Sequence, residues 1–184
     1  MKVAKRKAET TVVNLAKVYS VEIAPKYQPA AVEVRHEFTL PAAPEDGFSG
    51  AIIHGRIDRE DKDTSIGDFK TSERKPRKDV HAKSLQFRMY SLLYELRHGK
   101  RPKRVIVDDL VDDGSRPYVV STELHFGEDD YTAVLNQTMA VAKAVEKGVF
   151  IGSFGQFGAW WCAEGRCAFW YTCKFVPASL RRRK

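Results

Sequence analysis

"GRIDREDKDTSIGDFKTS", residues 55–72, consists of two short strand-like runs around a polar turn, and it sets Asp58, Asp68 and Lys70 where apolar residues would make a safer core. Runs 51–60 and 64–71 flank "DKD" (61–63), a pattern that reads as a β-hairpin. With the turn in "DKD", Asp58 falls directly opposite Asp68, with carbon-β atoms about 5 Å apart. Like charges so placed are destabilising unless something positive sits between them. Lys70 shares the face of Asp68, because strand side chains alternate. Ile57 and Phe69 fall on the other face and suit a core.

The hairpin is thus expected to carry an apolar side and a side with two carboxylates and one ammonium. Carboxylate oxygens, completed by water and phosphate, are what Mg²⁺ prefers. A lysine beside them stabilises charge on a phosphate or helps to orient and deprotonate water. The plain alternative for these three residues alone is an ion-pair ladder on a solvated sheet face.

Outward from the hairpin, Val12, Leu15, Ala16, Tyr19 and Ile23 recur three to four apart and predict an amphipathic helix over 8–23, stopped by Pro25. Residues 32–40 alternate as a strand, with Val32, Val34 and either His36 or Phe38 on one face and Glu33, Arg35 and Glu37 on the other. Asp79 is placed to cap a helix over 80–98 that Gly99 ends. Its expected stripe is Leu85, Met89, Leu92, Leu93 and Leu96. Strands are predicted over 103–110 and 117–125. A last helix over 129–147 has Tyr131, Val134, Leu135, Val141 and Val145 as its buried side. No repeat or linker interrupts the chain. The economical reading is one α/β domain over 1–184: a helical segment at 1–30, a core at 31–148, and a Cys- and aromatic-bearing segment with a basic tail at 149–184.

The 184 residues are 43% hydrophobic and 30% charged, a globular rather than a disordered composition. No apolar run approaches the roughly eighteen residues of a membrane span. The basic N-terminus has no apolar stretch behind it, so no secretory signal is read there. Three cysteines, all after position 160, argue against a disulfide framework and for reducing cytoplasm. The net charge of +7 favours a polyanionic partner.

"GRID", then "DFKTS", then "QFRMY" in the following helix together resemble the PD-(D/E)XK nuclease superfamily, and within it the RecB-type domain of CRISPR-adaptation nucleases and phage exonucleases. The resemblance covers roughly 32–96. It implies a restriction-endonuclease-like core, a mixed central β-sheet flanked by helices. It also implies Asp58 and Asp68 as ligands of Mg²⁺ or Mn²⁺, the main-chain carbonyl of Phe69 as a further ligand, and Lys70 as the catalytic lysine. Gln86 and Tyr90, at i and i+4 on one helical face, match the motif that lies against the site and the DNA backbone. The family's acid from the preceding strand is best matched by Glu33, with Glu37 as its rival. The family's helix-borne histidine has no counterpart before His36, which is not given that role. The N-terminal part is short for the family, as in a compact variant or a piece of a longer protein.

Cys162, Cys167 and Cys173 resemble the three C-terminal ligands of a [4Fe–4S] cluster in some RecB-type relatives, although such clusters take four thiolates and no upstream cysteine exists. Zinc fits the same arithmetic with a histidine as fourth ligand. The alternative is three reduced thiols packed among Trp160, Trp161, Phe169, Trp170 and Tyr171. Arg74, Lys75, Arg77 and Lys78 follow the hairpin as a phosphate-binding run or, more blandly, a solvated loop.

The expectation is therefore a metal-dependent deoxyribonuclease, an exonuclease of DNA recombination, repair or replication and of phage type. DNA is its substrate, a helicase or recombination protein its partner, the cytoplasm its place, and no membrane is involved. The rival is an inert nucleic-acid-binding module that keeps the nuclease fold.

Overall fold

A computed structural model describes residues 2–77, 79–114, 116–156 and 159–181, with side chains from Glu9 onward. The elements are α1 (Lys2–Val18), β1 (Pro29–Leu40), β2 (Ala51–Asp61), β3 (Ile66–Ser72), α2 (Leu85–His98), β4 (Val105–Val111), β5 (Tyr118–Leu124) and α3 (Glu128–Glu146). The chain forms two compact units, residues 1–142 and 143–184.

In the first unit the five strands make one sheet in the order β1-β2-β3-β4-β5. Only β3 and β4 run parallel, and α2 is the crossover that a parallel pair requires. The mixed sheet flanked by helices is the α/β arrangement expected from the sequence. Strand β4 is buried along its whole length. On one side of the sheet Ile57, Ile66, Val105, Val107 and Leu124 pack with Phe87 and Tyr94 of α2 into the main core. Burying side chains of this size is worth about 1.5–3 kcal/mol each. Helix α3 adds Tyr131 and Val134 against Leu92, and Ser91 Oγ and Tyr131 OH share a hydrogen bond of 2.7 Å.

The other side carries Tyr19, which continues α1 through a π-helical turn and sets its ring edge-on to Phe69 at 4.9 Å. Arg59 is buried there, its guanidinium 3.5 Å from the Tyr27 ring centroid. Its Nε donates to Asp61 at 3.0 Å and its Nη1 lies 3.6 Å from Asp108. Asp108 also accepts from Ser121 Oγ at 2.6 Å and Tyr27 OH at 3.2 Å. A buried charge needs such partners, and Gly67 leaves room for them: a Cβ there would lie 2.4 Å from Arg59 Nη2.

Three sequence expectations are corrected. Helix α2 begins at Leu85, not at residue 80, because Ser84 is extended (φ −72°, ψ 127°) and residues 79–83 form turns. The face of α2 turned inward is led by Phe87, Leu93 and Tyr94, while Leu85 and Leu96 are exposed; of the expected stripe Leu92 and Leu93 are buried, and the rings of Phe87 and Tyr94 fill the rest of that face. On α3, Val141 and Val145 are likewise exposed.

The second unit is built of turns with one short 3₁₀ segment, Ala178–Leu180. Trp170 is buried, donates from Nε1 to Leu180 O at 3.2 Å and packs on Phe154. Trp160, Trp161 and Phe169 are exposed, so of the aromatics expected to bury the cysteines only Trp170 is in the interior.

Candidate active site

The pairing of β2 with β3 covers two residue pairs only, Arg59 with Gly67 and Glu60 with Ile66. Beyond them the strands part, and β3 continues along β4 over seven pairs instead. Glu60 pairs with Ile66, so regular alternation would put Ile57 on the opposite face from Ile66. Both lie in the core beneath α2. Strand β2 therefore breaks its alternation around Asp58, and on β1 the facing residue, Glu33, has a left-handed φ of 53°. The register of β1 with β2 is the same on both sides of this point, so both strands turn there without an inserted residue; the register shift of the pair lies further on, between Pro29 and Ala31. It also corrects the expectation that Ile57 and Phe69 share a face: Ile57 is under α2, and Phe69 lies on the other side with Tyr19.

The gap between the strands is bridged by a side chain. Asp58 Oδ2 accepts from the Phe69 main-chain N–H at 3.0 Å, in place of a ladder bond. Residue N–H and C=O leave a strand toward the same edge, so the Phe69 carbonyl also faces this gap. Asp68 is 2% exposed, and its Oδ2 stands 2.5 Å from Lys70 Nζ. The Lys70 ammonium is the partner of this oxygen. On the other oxygen, Gln86 Nε2 approaches Asp68 Oδ1 at 3.3 Å and also donates to Tyr90 OH at 2.9 Å. Lys70 lies 5.5 Å over the Phe87 ring.

Burial holds the Asp68 carboxyl above the ordinary carboxylate range; Lys70 draws it down, and the charge of Asp58 pushes it further up. A buried carboxylate that faces a second carboxylate and has a half-exposed ammonium beside it suits a small hard cation. Gly55 lets α2 approach closely enough to deliver Gln86 and Tyr90: a Cβ at 55 would lie 2.8 Å from Leu93 Cδ1 and 3.3 Å from Tyr90.

Of the residues singled out from the sequence, Asp58, Phe69, Asp68, Lys70, Gln86 and Tyr90 are brought together. Glu33 is not: its carboxylate lies 3.7 Å from Arg56 and both are exposed. Glu37 pairs with Arg35 at 2.6 Å on the surface. Arg74, Lys75 and Arg77 are exposed on the loop after β3; Lys78 lies outside the described residues. The thiols of Cys162, Cys167 and Cys173 are half-buried on turns, and they do not all lie within 4.8 Å of one another, the closeness at which one ion could be shared.

Sequence reasoning missed His81 and Asp109. His81 Nε2 sits 2.6 Å from Asp109 Oδ2, both are buried, and Asp109 is the β4 partner of Lys70. The available signal was "VDDLV" itself, two acids in a strand otherwise apolar enough to be buried on both faces.

The comparisons with known proteins agree with this geometry. The model of the PD-(D/E)XK nuclease superfamily matches residues 1–174. The chain belongs to that superfamily. No curated protein matches it in sequence. Among solved structures, a Eubacterium rectale protein provisionally named an exonuclease superposes with a TM-score of 0.53 at 16% identity, over 79% of this chain and 55% of that one. SSO0001 superposes with a TM-score of 0.51 at 14% identity, over 95% and 73%. The superfamily chain thus spans little more than half the length of the first, and at these identities the likeness is one of fold. Its hairpin, crossover helix and carboxylate pair belong to a fold of nucleases that use divalent metals.

Proposed function

We propose that this chain is a divalent-metal-dependent deoxyribonuclease of RecB type that hydrolyses DNA phosphodiester bonds. One observation carries the reading: a buried Asp68 facing Asp58 across a gap in the sheet, with the Lys70 ammonium 2.5 Å from Asp68 Oδ2. Asp58, Asp68 and the Phe69 carbonyl are the groups to hold the ion. When bound, Mg²⁺ or Mn²⁺ would supply Lewis acidity toward the scissile phosphate and lower the pKa of a water.

The chain's own residues do the rest. Lys70, beside Asp68, places its ammonium to stabilise charge developing on the phosphate. Gln86, anchored by Tyr90, holds Asp68 by Oδ1 and so fixes the direction of Oδ2. The exposed Arg74, Lys75 and Arg77 lie on the loop just after β3 and fit contacts to the backbone of a strand in the site. A role in recombination, repair or replication, beside a helicase partner, in the cytoplasm and of phage origin, is the setting we propose with it. For Cys162, Cys167 and Cys173 we propose cluster or zinc ligation completed by a fourth ligand. Iron and zinc analysis after anaerobic purification tests it, and colourless metal-free protein sinks it.

The deciding experiment incubates linear and circular, single- and double-stranded DNA with the protein, with and without Mg²⁺ or Mn²⁺. Metal-dependent loss of linear DNA with circles spared supports an exonuclease, and cut circles an endonuclease. DNA bound but uncut with either ion, under every condition, supports the inert binding module and overturns the proposal.

A further inference from the structure

A second constellation lies at the other end of α2. His36 of β1 is 1% exposed, and its Nε2 lies 2.5 Å from Glu60 Oε1. His98, in the last turn of α2, points the same ring atom, Nε2, at Glu60 Oε2 from 3.2 Å. The three side chains offer one donor atom each, all within 4.8 Å of one another. Gln86, which touches Asp68, is twelve residues away from His98 on the same helix, or about 18 Å along its axis. The two clusters are therefore separate places on the protein.

Glu60 is 7% exposed, and the two imidazoles are the ion-pair and hydrogen-bond partners that hold its carboxylate. Arg59, next in the chain, points to the opposite side of the sheet, over Tyr27. A buried carboxylate that meets two imidazoles is a place where a cation is well compensated. The C-terminal end of α2 adds partial negative charge at the same spot. His36 Nδ1 is buried without a hydrogen-bond partner among the described residues.

We propose that His36, Glu60 and His98 form a metal site of their own, for Zn²⁺ or a similar borderline divalent ion, distinct from the carboxylate pair of the nuclease site. Two imidazole nitrogens and one carboxylate are a donor set that suits zinc and not magnesium. Tetrahedral bonds of 2.0–2.1 Å put ligand atoms about 3.3 Å apart. The His98–Glu60 separation of 3.2 Å already matches. The His36–Glu60 separation is that of a hydrogen bond and opens by about 0.8 Å to admit the ion. Binding takes His36 Nε2 in its unprotonated form. The partly exposed His98 leaves the fourth position to water. The bound ion ties β1, β2 and the end of α2 together.

The test uses the full chain, stripped with a chelator and titrated with Zn²⁺ and with Co²⁺. Bound-ion stoichiometry, Tm and the visible d–d absorption of cobalt are read for wild type, H98A and the D58N/D68N double variant. His98 is partly exposed, so H98A keeps the fold where a change at His36 risks losing it. Wild type should bind one equivalent more than H98A, with the corresponding affinity reduced at least about 10–100-fold in the variant. The extra equivalent, its thermal shift and its cobalt bands should persist in D58N/D68N, and Mg²⁺ should not reproduce them. Cobalt held by the cysteines shows thiolate charge-transfer absorption that H98A leaves alone. Equal zinc binding and equal thermal shift in wild type and H98A overturn the proposal, as does loss of the extra equivalent in D58N/D68N.

Discussion

Asp58 Oδ2 accepts the Phe69 main-chain N–H at 3.0 Å, so a carboxylate of β2 completes the backbone of β3 where the ladder between them has ended. The acid is held by the other strand's main chain, and its position does not depend on a flexible partner.

Asp68→Asn should raise the Tm of metal-free protein at neutral pH while abolishing cleavage. The folded-state pKa of Asp68 lies above its ordinary 3.8, chiefly through burial. A raised pKa means that the group favours folding fully below 3.8 and loses that contribution as pH rises through the folded value. The gain of the Asn variant over wild type should therefore be present at pH 7 and disappear below pH 3.8. Thermal melts across pH, with and without Mg²⁺, check this; Mg²⁺ should stabilise wild type and not the variant. Wild-type cleavage by the variant would sink the catalytic reading.

Lys70→Ala should lower activity by about 10²–10³-fold, the usual cost of one charge-stabilising donor. Lys70 competes with an incoming cation for Asp68 Oδ2, so metal affinity should stay level or increase. Without metal the variant should melt earlier than wild type, because Asp68 loses its counter-charge. Calorimetric Mn²⁺ titration beside single-turnover kinetics separates the two effects; parallel loss of binding and rate would place Lys70 in holding the ion.

Replacing Arg74, Lys75 and Arg77 by Ala should weaken binding to all DNA sequences alike, since phosphate contacts carry no base information. If all three touch phosphates of a duplex, the slope of log K against log salt flattens by about 2.7, at about 0.9 per contact. An unchanged slope means that this loop does not meet the backbone.

Gly67→Ala should destabilise by about 1–3 kcal/mol, the usual cost of overpacking, because its Cβ would intrude on the Arg59 guanidinium between Tyr27 and Asp61. Gly47→Ala puts a Cβ into open space at a left-handed φ and should cost less. Denaturant unfolding of both variants checks the order.

The hairpin, the crossover helix and the linked motif were legible in the sequence because each is local: turn chemistry, period and capping act within a few residues. That Asp58, Asp68 and Lys70 would come together followed from the hairpin, and that Gln86 and Tyr90 would join them followed from the resemblance of the helix motif. The break at Asp58 was not legible, because alternation presumes a regular pleat and the irregularity involves Glu33 across the strands. Leu85 and Leu96 were misjudged because periodicity ranks hydrophobic residues and does not say that the rings of Phe87 and Tyr94 fill the space against the sheet. His81 with Asp109, and His36 with Glu60 and His98, join residues 24 to 62 positions apart in partners that no window of sequence contains.

The two-pair ladder between β2 and β3 makes the hairpin a pair of tongs. The spacing of the two acids is set by how far the main chains splay beyond Arg59 and Gly67, and side-chain rotamers only trim it. Since β3 is clamped to β4 over seven pairs, the adjustable jaw is the β1–β2 ribbon. Changes that stiffen or twist that ribbon, even on its solvent face at Arg35 or Arg56, would retune the bite of the site without touching a residue inside it.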